Sequence, residues 1–284
     1  MHNSRYINIA FVVMVVFFVH QQILAQSRDT IYLWPGQVPG ATEPKHDPIP
    51  TPDTSGGVIR VTDVTNPALI VFEPERSADN GNSIIVCPGG SYNYLAINKE
   101  GYEVAEWLNK LGFTAYVLQY RVPKKRDEAF CDIQRSIRIV RSRLKGNAGK
   151  TGIIGFSAGG NLCARAGVDF AEESYTKADN IDSVSCRPDF ALLIYPAYLD
   201  EGENRSLSPN LHINKNTPPM FIFQTADDSY GNSSLVMTTA LRDNKIPVEL
   251  HILSTGGHGY GLRSGNTAAE TWPRLAETWL KKYQ

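Results

Sequence analysis

The chain has little excess charge of either sign: 28 Lys and Arg against 29 Asp and Glu leave a formal net charge of −1 over 284 residues. Nucleic acid and anionic membrane surfaces both select a basic face, so neither is expected as a partner. Cysteine is scarce as well. Cys87, Cys131, Cys163 and Cys186 are the four in the chain, and their spacing matches no metal-ligand pattern, so no metal centre is expected. Cys87 closes an apolar strand-like run while Cys131 and Cys163 fall in helical segments. Buried free thiols are the expectation, with a single disulfide as the alternative open to an exported chain. Internal repeats and a second domain are also missing. What remains, with 42% hydrophobic and 20% charged residues, suits one globular domain with a substantial core.

A long apolar run occurs at the amino terminus, in "MHNSRYINIAFVVMVVFFVHQQILAQS". Arg5 precedes the run from Ile7 to Val19, and polar residues lead to small Ala25. That order predicts a secretory signal over residues 1–25 and a secreted or periplasmic mature chain without membrane attachment. An uncleaved anchor is the alternative, although the run falls short of the roughly 20 residues a spanning helix needs. The residue directly after Ala25 is Gln26 and not a cysteine, so a lipid anchor is not expected.

Residues 26–57 are rich in Pro, Gly and Thr without periodicity, which predicts an extended arm over the surface of a domain at 58–284. From there, strand-like "VIRVTDV", "ALIVFEP", "NSIIVCP", "FTAYVLQYR", "DFALLIYP", "PPMFIFQT" and "VELHIL" alternate with helical segments such as "EGYEVAEWLNKLG". Such alternation predicts an α/β chain with a mostly parallel, doubly wound sheet flanked by helices, because parallel neighbours need crossover connections. In "EAFCDIQRSIRIVRSRLKG", Phe130, Ile133, Ile137 and Val140 share one face, and Arg135, Arg138, Arg141 and Arg143 read as a solvated one. The segment "LDEGENRSLSPNLHINKNT" lacks apolar periodicity and reads as a loop over the site.

The chemistry concentrates at "IIGFSAGGNL", where G-x-S-x-G lies between a strand and a helix. The glycines permit the cramped turn that lifts Ser157 to the strand tip, next to a helix amino terminus that favours developing negative charge. A serine hydroxyl needs a base and an orienting acid, which should follow in that chain order. His258 sits among glycines in "STGGHGYG", whereas His2 and His20 are in the leader, His46 in the arm, His212 in the irregular segment and His251 within a strand. For the acid, the turn after "MFIFQT" carries Asp227 and Asp228. Asp228 is preferred for its extra residue of reach, with Asp227 as the alternative. An oxyanion hole needs preorganised donors. After the strand ending at Cys87, Gly89, Gly90 and Ser91 can offer N–H groups, and the amide of Ala158 completes the set.

Together, "CPGGSYNYLAINKEGYEVAEWLNKLGFTAYVLQYRVP", "GFSAGGNL", "QTADD" and "PVELHILSTGGHGYGL" resemble the α/β-hydrolase family of secreted bacterial esterases with acetylxylan-esterase-like and feruloyl-esterase-like members. The resemblance runs from about residue 60 to the end. It implies an eight-stranded hydrolase sheet and carboxylic-ester hydrolysis without a cofactor. Ser157, Asp228 and His258 fall on the family's triad, and Gly90 with Ser91 on its oxyanion loop. Ser91 stands where many relatives have a third glycine, and "DDSYGNSS" where they often have a turn bearing valine and proline. The expected substrate is an acylated plant polysaccharide or small ester, carrying acetyl or, second, hydroxycinnamoyl groups. A lipase or peptidase of this fold, or a glycan-binding relative without catalysis, are the competing readings.

Overall fold

The computed structural model describes residues 28–144 and 149–284; the expected signal over residues 1–25 lies outside them. In chain order the strands and longer helices are β1 (Thr30–Tyr32), β2 (Ile49–Pro50), β3 (Arg60–Thr62), β4 (Ala68–Phe72), β5 (Ser83–Cys87), β6 (Leu95–Ala96), α1 (Glu103–Lys110), β7 (Thr114–Gln119), α2 (Arg126–Arg143), β8 (Thr151–Phe156), α3 (Ala158–Val168), β9 (Phe190–Ile194), β10 (Met220–Thr225), α4 (Gly231–Asp243), β11 (Val248–Leu253) and α5 (Thr267–Leu280).

Runs such as SIIVC, TGIIGF and FALLI place apolar side chains on both faces of a strand, the pattern of a sheet covered on both sides. They form the centre of an eight-stranded sheet in the order β1-β4-β7-β5-β8-β9-β10-β11. From β7 through β11 neighbouring strands are parallel, while β1 and β4 are antiparallel additions at one edge. The interior strands β5, β8, β9 and β10 are buried throughout, whereas β11 at the far edge is only partly covered. Helices α1 and α5 meet through Trp107 and Trp272, whose rings cross edge to face at 5.1 Å, and α2 packs on α3. A second, small antiparallel sheet joins β2, β3 and β6. The four cysteines are buried and unpaired.

Two sequence expectations need correction. Residues 28–57 do more than lie over the surface: β1 pairs with β4, and Leu33, Trp34 and Val38 enter the core. The Trp34 indole N–H donates to Asp132 at 3.0 Å. Isolated anchors on an otherwise irregular segment leave no periodicity to read. The arginine face of α2 is solvated only at Arg143, whose side chain is exposed. Arg135 is 2% exposed and donates to Asp179, Asp182 and the Leu33 carbonyl, while Arg138 and Arg141 reach the Val184 and Arg187 carbonyls. The irregular stretch at 170–189 folds back over α2 and supplies all of these acceptors except the Leu33 carbonyl, a long-range contact that helical spacing does not encode.

Candidate active site

In a parallel sheet, the loops at the carboxyl ends of the strands converge on one edge, and ligand sites form there. Here the loops after β5, β8, β10 and β11 carry Gly89–Ser91, Ser157, Asp227–Asp228 and His258, respectively. Ser157 is held between β8 and α3 at φ 52°, ψ −117°, a backbone conformation that side-chain-bearing residues rarely adopt and that packing must enforce. The turn is this tight because α3 starts against β5: a Cβ on Gly159 would lie 2.1 Å from the Cys87 carbonyl oxygen.

The structure brings three of the expected residues into a hydrogen-bonded series. Ser157 Oγ is 2.8 Å from His258 Nε2, and His258 Nδ1 is 2.7 Å from Asp228 Oδ2. The Asp228 side chain is fully buried, and its other oxygen accepts the Tyr230 N–H at 2.9 Å. A carboxylate acceptor at Nδ1 places the imidazole proton there and leaves Nε2 to accept from the serine hydroxyl, as general-base activation requires. Tyr195 and Tyr230 hold the ring from two sides, with centroids 5.1 and 5.0 Å away. Asp227 points elsewhere. Its carboxylate accepts the N–H groups of Gly257 and Gly256 at 2.9 and 3.1 Å, bonds that hold its pKa below the usual carboxylate value and tie down the loop that presents His258.

Facing Ser157, Gly90 adopts φ 139° and Ser91 φ 56°. A Cβ on Gly90 would lie 2.0 Å from the Tyr94 carbonyl oxygen, so only glycine fits the turn. Among the described residues, the N–H groups of Gly90, Ser91 and Ala158 donate to no protein acceptor. Gly89 differs: its N–H donates to the Glu100 carboxylate at 2.8 Å, so it supports the loop from behind.

No family model matches the chain. It is 28% identical over 232 residues to an acetylxylan esterase of Xylanibacter ruminicola, a match covering 72% of this chain and 45% of that protein. It is 30% identical over 205 residues to endo-1,4-beta-xylanase B of Butyrivibrio fibrisolvens, covering 62% of this chain and 32% of that one. The chain thus spans less than half the length of these two curated relatives. A solved acetyl ester-xyloside bifunctional hydrolase from Caldicellulosiruptor lactoaceticus superposes with a TM-score of 0.72 at 31% identity, covering 91% of this chain and 97% of that one. The chain belongs to the acetylxylan-esterase-like α/β hydrolases.

Two features of this hydrolase's site escape a motif reading. Glu100 is fully buried beside the serine, with its oxygens accepting the Gly89 N–H and the Tyr195 hydroxyl; that hydroxyl accepts the Gly261 N–H at 3.0 Å. One carboxyl therefore links the Gly90 loop, the loop after β9 and the His258 loop. Burial pushes its pKa up, against the opposing pull of the Tyr195 and Gly89 hydrogen bonds. Its sequence signal is that Glu100 precedes Val104 and Leu108 by one and two turns on a buried stripe, an acid at an apolar position. The second feature is the cleft over Ser157, of about 140 Å³, whose lining includes Val58, Arg60, Tyr94 and Lys99 besides Gly90, Ser91 and His258. The segment at 199–217, expected over the site, lines none of it. Its Asp200 instead accepts from Ser233 at the start of α4, and His212 meets Asp169 past the end of α3. Its polar side chains have nearer partners there, and residues 58 and 60 wall the cleft in its place.

Proposed function

We propose that this hydrolase is an exported serine esterase that removes acetyl groups from xylan-type polysaccharide through an acyl-enzyme. The observation that carries the reading is the unbroken series Asp228–His258–Ser157 at the floor of the cleft. Ser157 Oγ attacks the ester carbonyl carbon as its proton passes to His258 Nε2. The carbonyl oxygen becomes an oxyanion stabilised by the N–H groups of Gly90, Ser91 and Ala158, where a single donor is worth about 3–4 kcal/mol of barrier. Collapse of the tetrahedral intermediate breaks the bond to the sugar oxygen, which leaves with the proton from His258. Water, deprotonated by the same imidazole, attacks the acetyl-serine, and acetate departs with Ser157 regenerated. Asp228 keeps the ring in the required tautomer and stabilises its transient positive charge.

The cleft over Ser157 is partly open to solvent, as access of a polymer-borne ester to the serine requires. The relatives' names, an acetylxylan esterase and an acetyl ester-xyloside hydrolase, support the acetyl class, and the apolar run at Ile7–Val19 before Ala25 supports export. Purified protein assayed in parallel on acetylated xylan, feruloylated arabinoxylan and short and long 4-nitrophenyl esters tests this. Preference for acetylated xylan and the shortest ester is expected; preference for the feruloylated or long-chain substrate would overturn the acetyl assignment.

A further inference from the structure

Among its lining residues the cleft has two cationic side chains, Lys99 and Arg60, that the chemistry above does not use, and one acid, Glu100. Lys99 lines it, and a Cβ on Gly261 would lie 3.1 and 3.4 Å from Lys99 Cγ and Cε, so the lysine stem rests against the His258 loop. Among the described residues no carboxylate comes within salt-bridge distance of the Lys99 ammonium, and it donates no hydrogen bond to the protein. Arg60, also in the lining, is 15% exposed; its guanidinium donates to the Asp53 and Val58 carbonyls at 2.9 and 3.3 Å and lies 3.5 Å from the exposed Asp53 carboxylate. The nearest acid to Lys99 in sequence, Glu100, has turned both oxygens inward to Gly89 and Tyr195. Arg263 close by is paired with Glu103.

Lys99 has thus given up part of its water without gaining a counter-ion. Burial lowers its pKa, and Arg263 and Arg60 push the same way against the pull of Glu100 and Glu103. Like charges crowded at a half-dry surface repel one another, and an arriving anion would relieve that repulsion where the local dielectric makes its attraction stronger than in water.

We propose that Lys99, with Arg60 beside it, forms a subsite for a carboxylate carried by the ester substrate. The proposal rests on the esterase reading for what the substrate is, and it defines the substrate class more narrowly: an acetylated glycan bearing a uronic acid near the ester, or an ester whose acyl chain ends in a carboxylate. Calorimetry on the Ser157→Ala protein, using a xylo-oligosaccharide with one glucuronosyl branch and its unbranched counterpart, separates charge from sugar. The branched ligand should bind about tenfold more tightly at low salt, a ratio equivalent to ~1.4 kcal/mol. Adding Lys99→Gln should abolish that preference, and Lys99→Arg should keep it. In a second arm, turnover of 4-nitrophenyl hemisuccinate against 4-nitrophenyl acetate tests the acyl chain as the carboxylate's source, with Lys99→Gln again removing any preference. Equal affinities together with equal rates, or preferences that survive Lys99→Gln, would overturn the subsite. Failure of the wild type to hydrolyse any acetyl ester would instead overturn the esterase reading, since the binding arm reads the subsite without turnover.

Discussion

Two neighbouring aspartates show how far one residue of sequence separates two jobs. Asp228 is fully buried against His258, whereas Asp227 stands in solvent and anchors the backbone of Gly256 and Gly257. Asp228→Asn should slow turnover of 4-nitrophenyl acetate by up to ~10⁴-fold, because an amide at that position favours the wrong imidazole tautomer. Asp227→Asn keeps an oxygen for one of the two glycine N–H groups, and a loss of only several-fold is expected. The opposite ranking would reverse the roles given to the pair. Ser157→Ala should abolish turnover while leaving the circular dichroism spectrum and thermal midpoint close to those of the parent. Labelling by a fluorophosphonate probe should vanish with it; a labelled variant would mean that another nucleophile is present.

Among the elements, α2 and the stretch that folds over it are joined by charge. Arg135 and Asp182 are 2% and 0% exposed at their side chains. Removing one member of such a buried pair typically costs ~3–5 kcal/mol, so Arg135→Ala should lower the urea midpoint accordingly, with little change in KM for the folded enzyme. The Arg135 hydrogen bond holds the Asp179 pKa low; Asp182, although burial pushes it upward, is kept low by the Tyr175 hydroxyl, the Ala178 N–H and Arg135. Carboxylates depressed in the folded state contribute their full stability above their unfolded values of about 4 and lose it as pH falls through the folded ones. Asp182→Asn should therefore be less stable than the parent at neutral pH and lose stability less steeply below about pH 4, which urea unfolding at a series of pH values measures. At the site, Glu100→Ala strips the acceptor from Gly89 and Tyr195 together. A fall in kcat of about tenfold to a hundredfold with KM nearly unchanged is expected, partly recovered in Glu100→Gln, as misplacement of supporting groups by about an ångström would produce.

For the molecule as a whole, residues 28–57 contribute to the core through Leu33, Trp34 and Val38. Trp34 is 1% exposed and bonded to Asp132, which in turn accepts from Arg121. Trp34→Ala should cost about 3–5 kcal/mol, measured by denaturant unfolding, and a chain beginning at residue 58 should fail to fold into soluble enzyme. Recovery of that shortened chain at parental stability would show the segment to be dispensable. Activity should also withstand EDTA: the described residues hold no cluster of three or more His, Cys, Asp or Glu placed to bind a metal, and a serine mechanism needs none. Loss on chelation, restored by a divalent ion, would contradict this.

By itself the sequence determined the alternation of strand and helix, the serine at a strand-to-helix turn, and the glycine-framed His258, because each is written in local spacing and in the backbone freedom of glycine. Tertiary structure alone decided what depends on contacts between distant segments. It buried Asp228, and not Asp227, against His258. It drew Arg135, Arg138 and Arg141 under the 170–189 stretch, seated Trp34 in the core, turned the 199–217 segment away from the cleft and set Glu100 between three loops. The physical reason is common to these cases: a polar side chain's partner is fixed by which groups the packed sheet brings within hydrogen-bond reach, and periodicity records only which face is apolar.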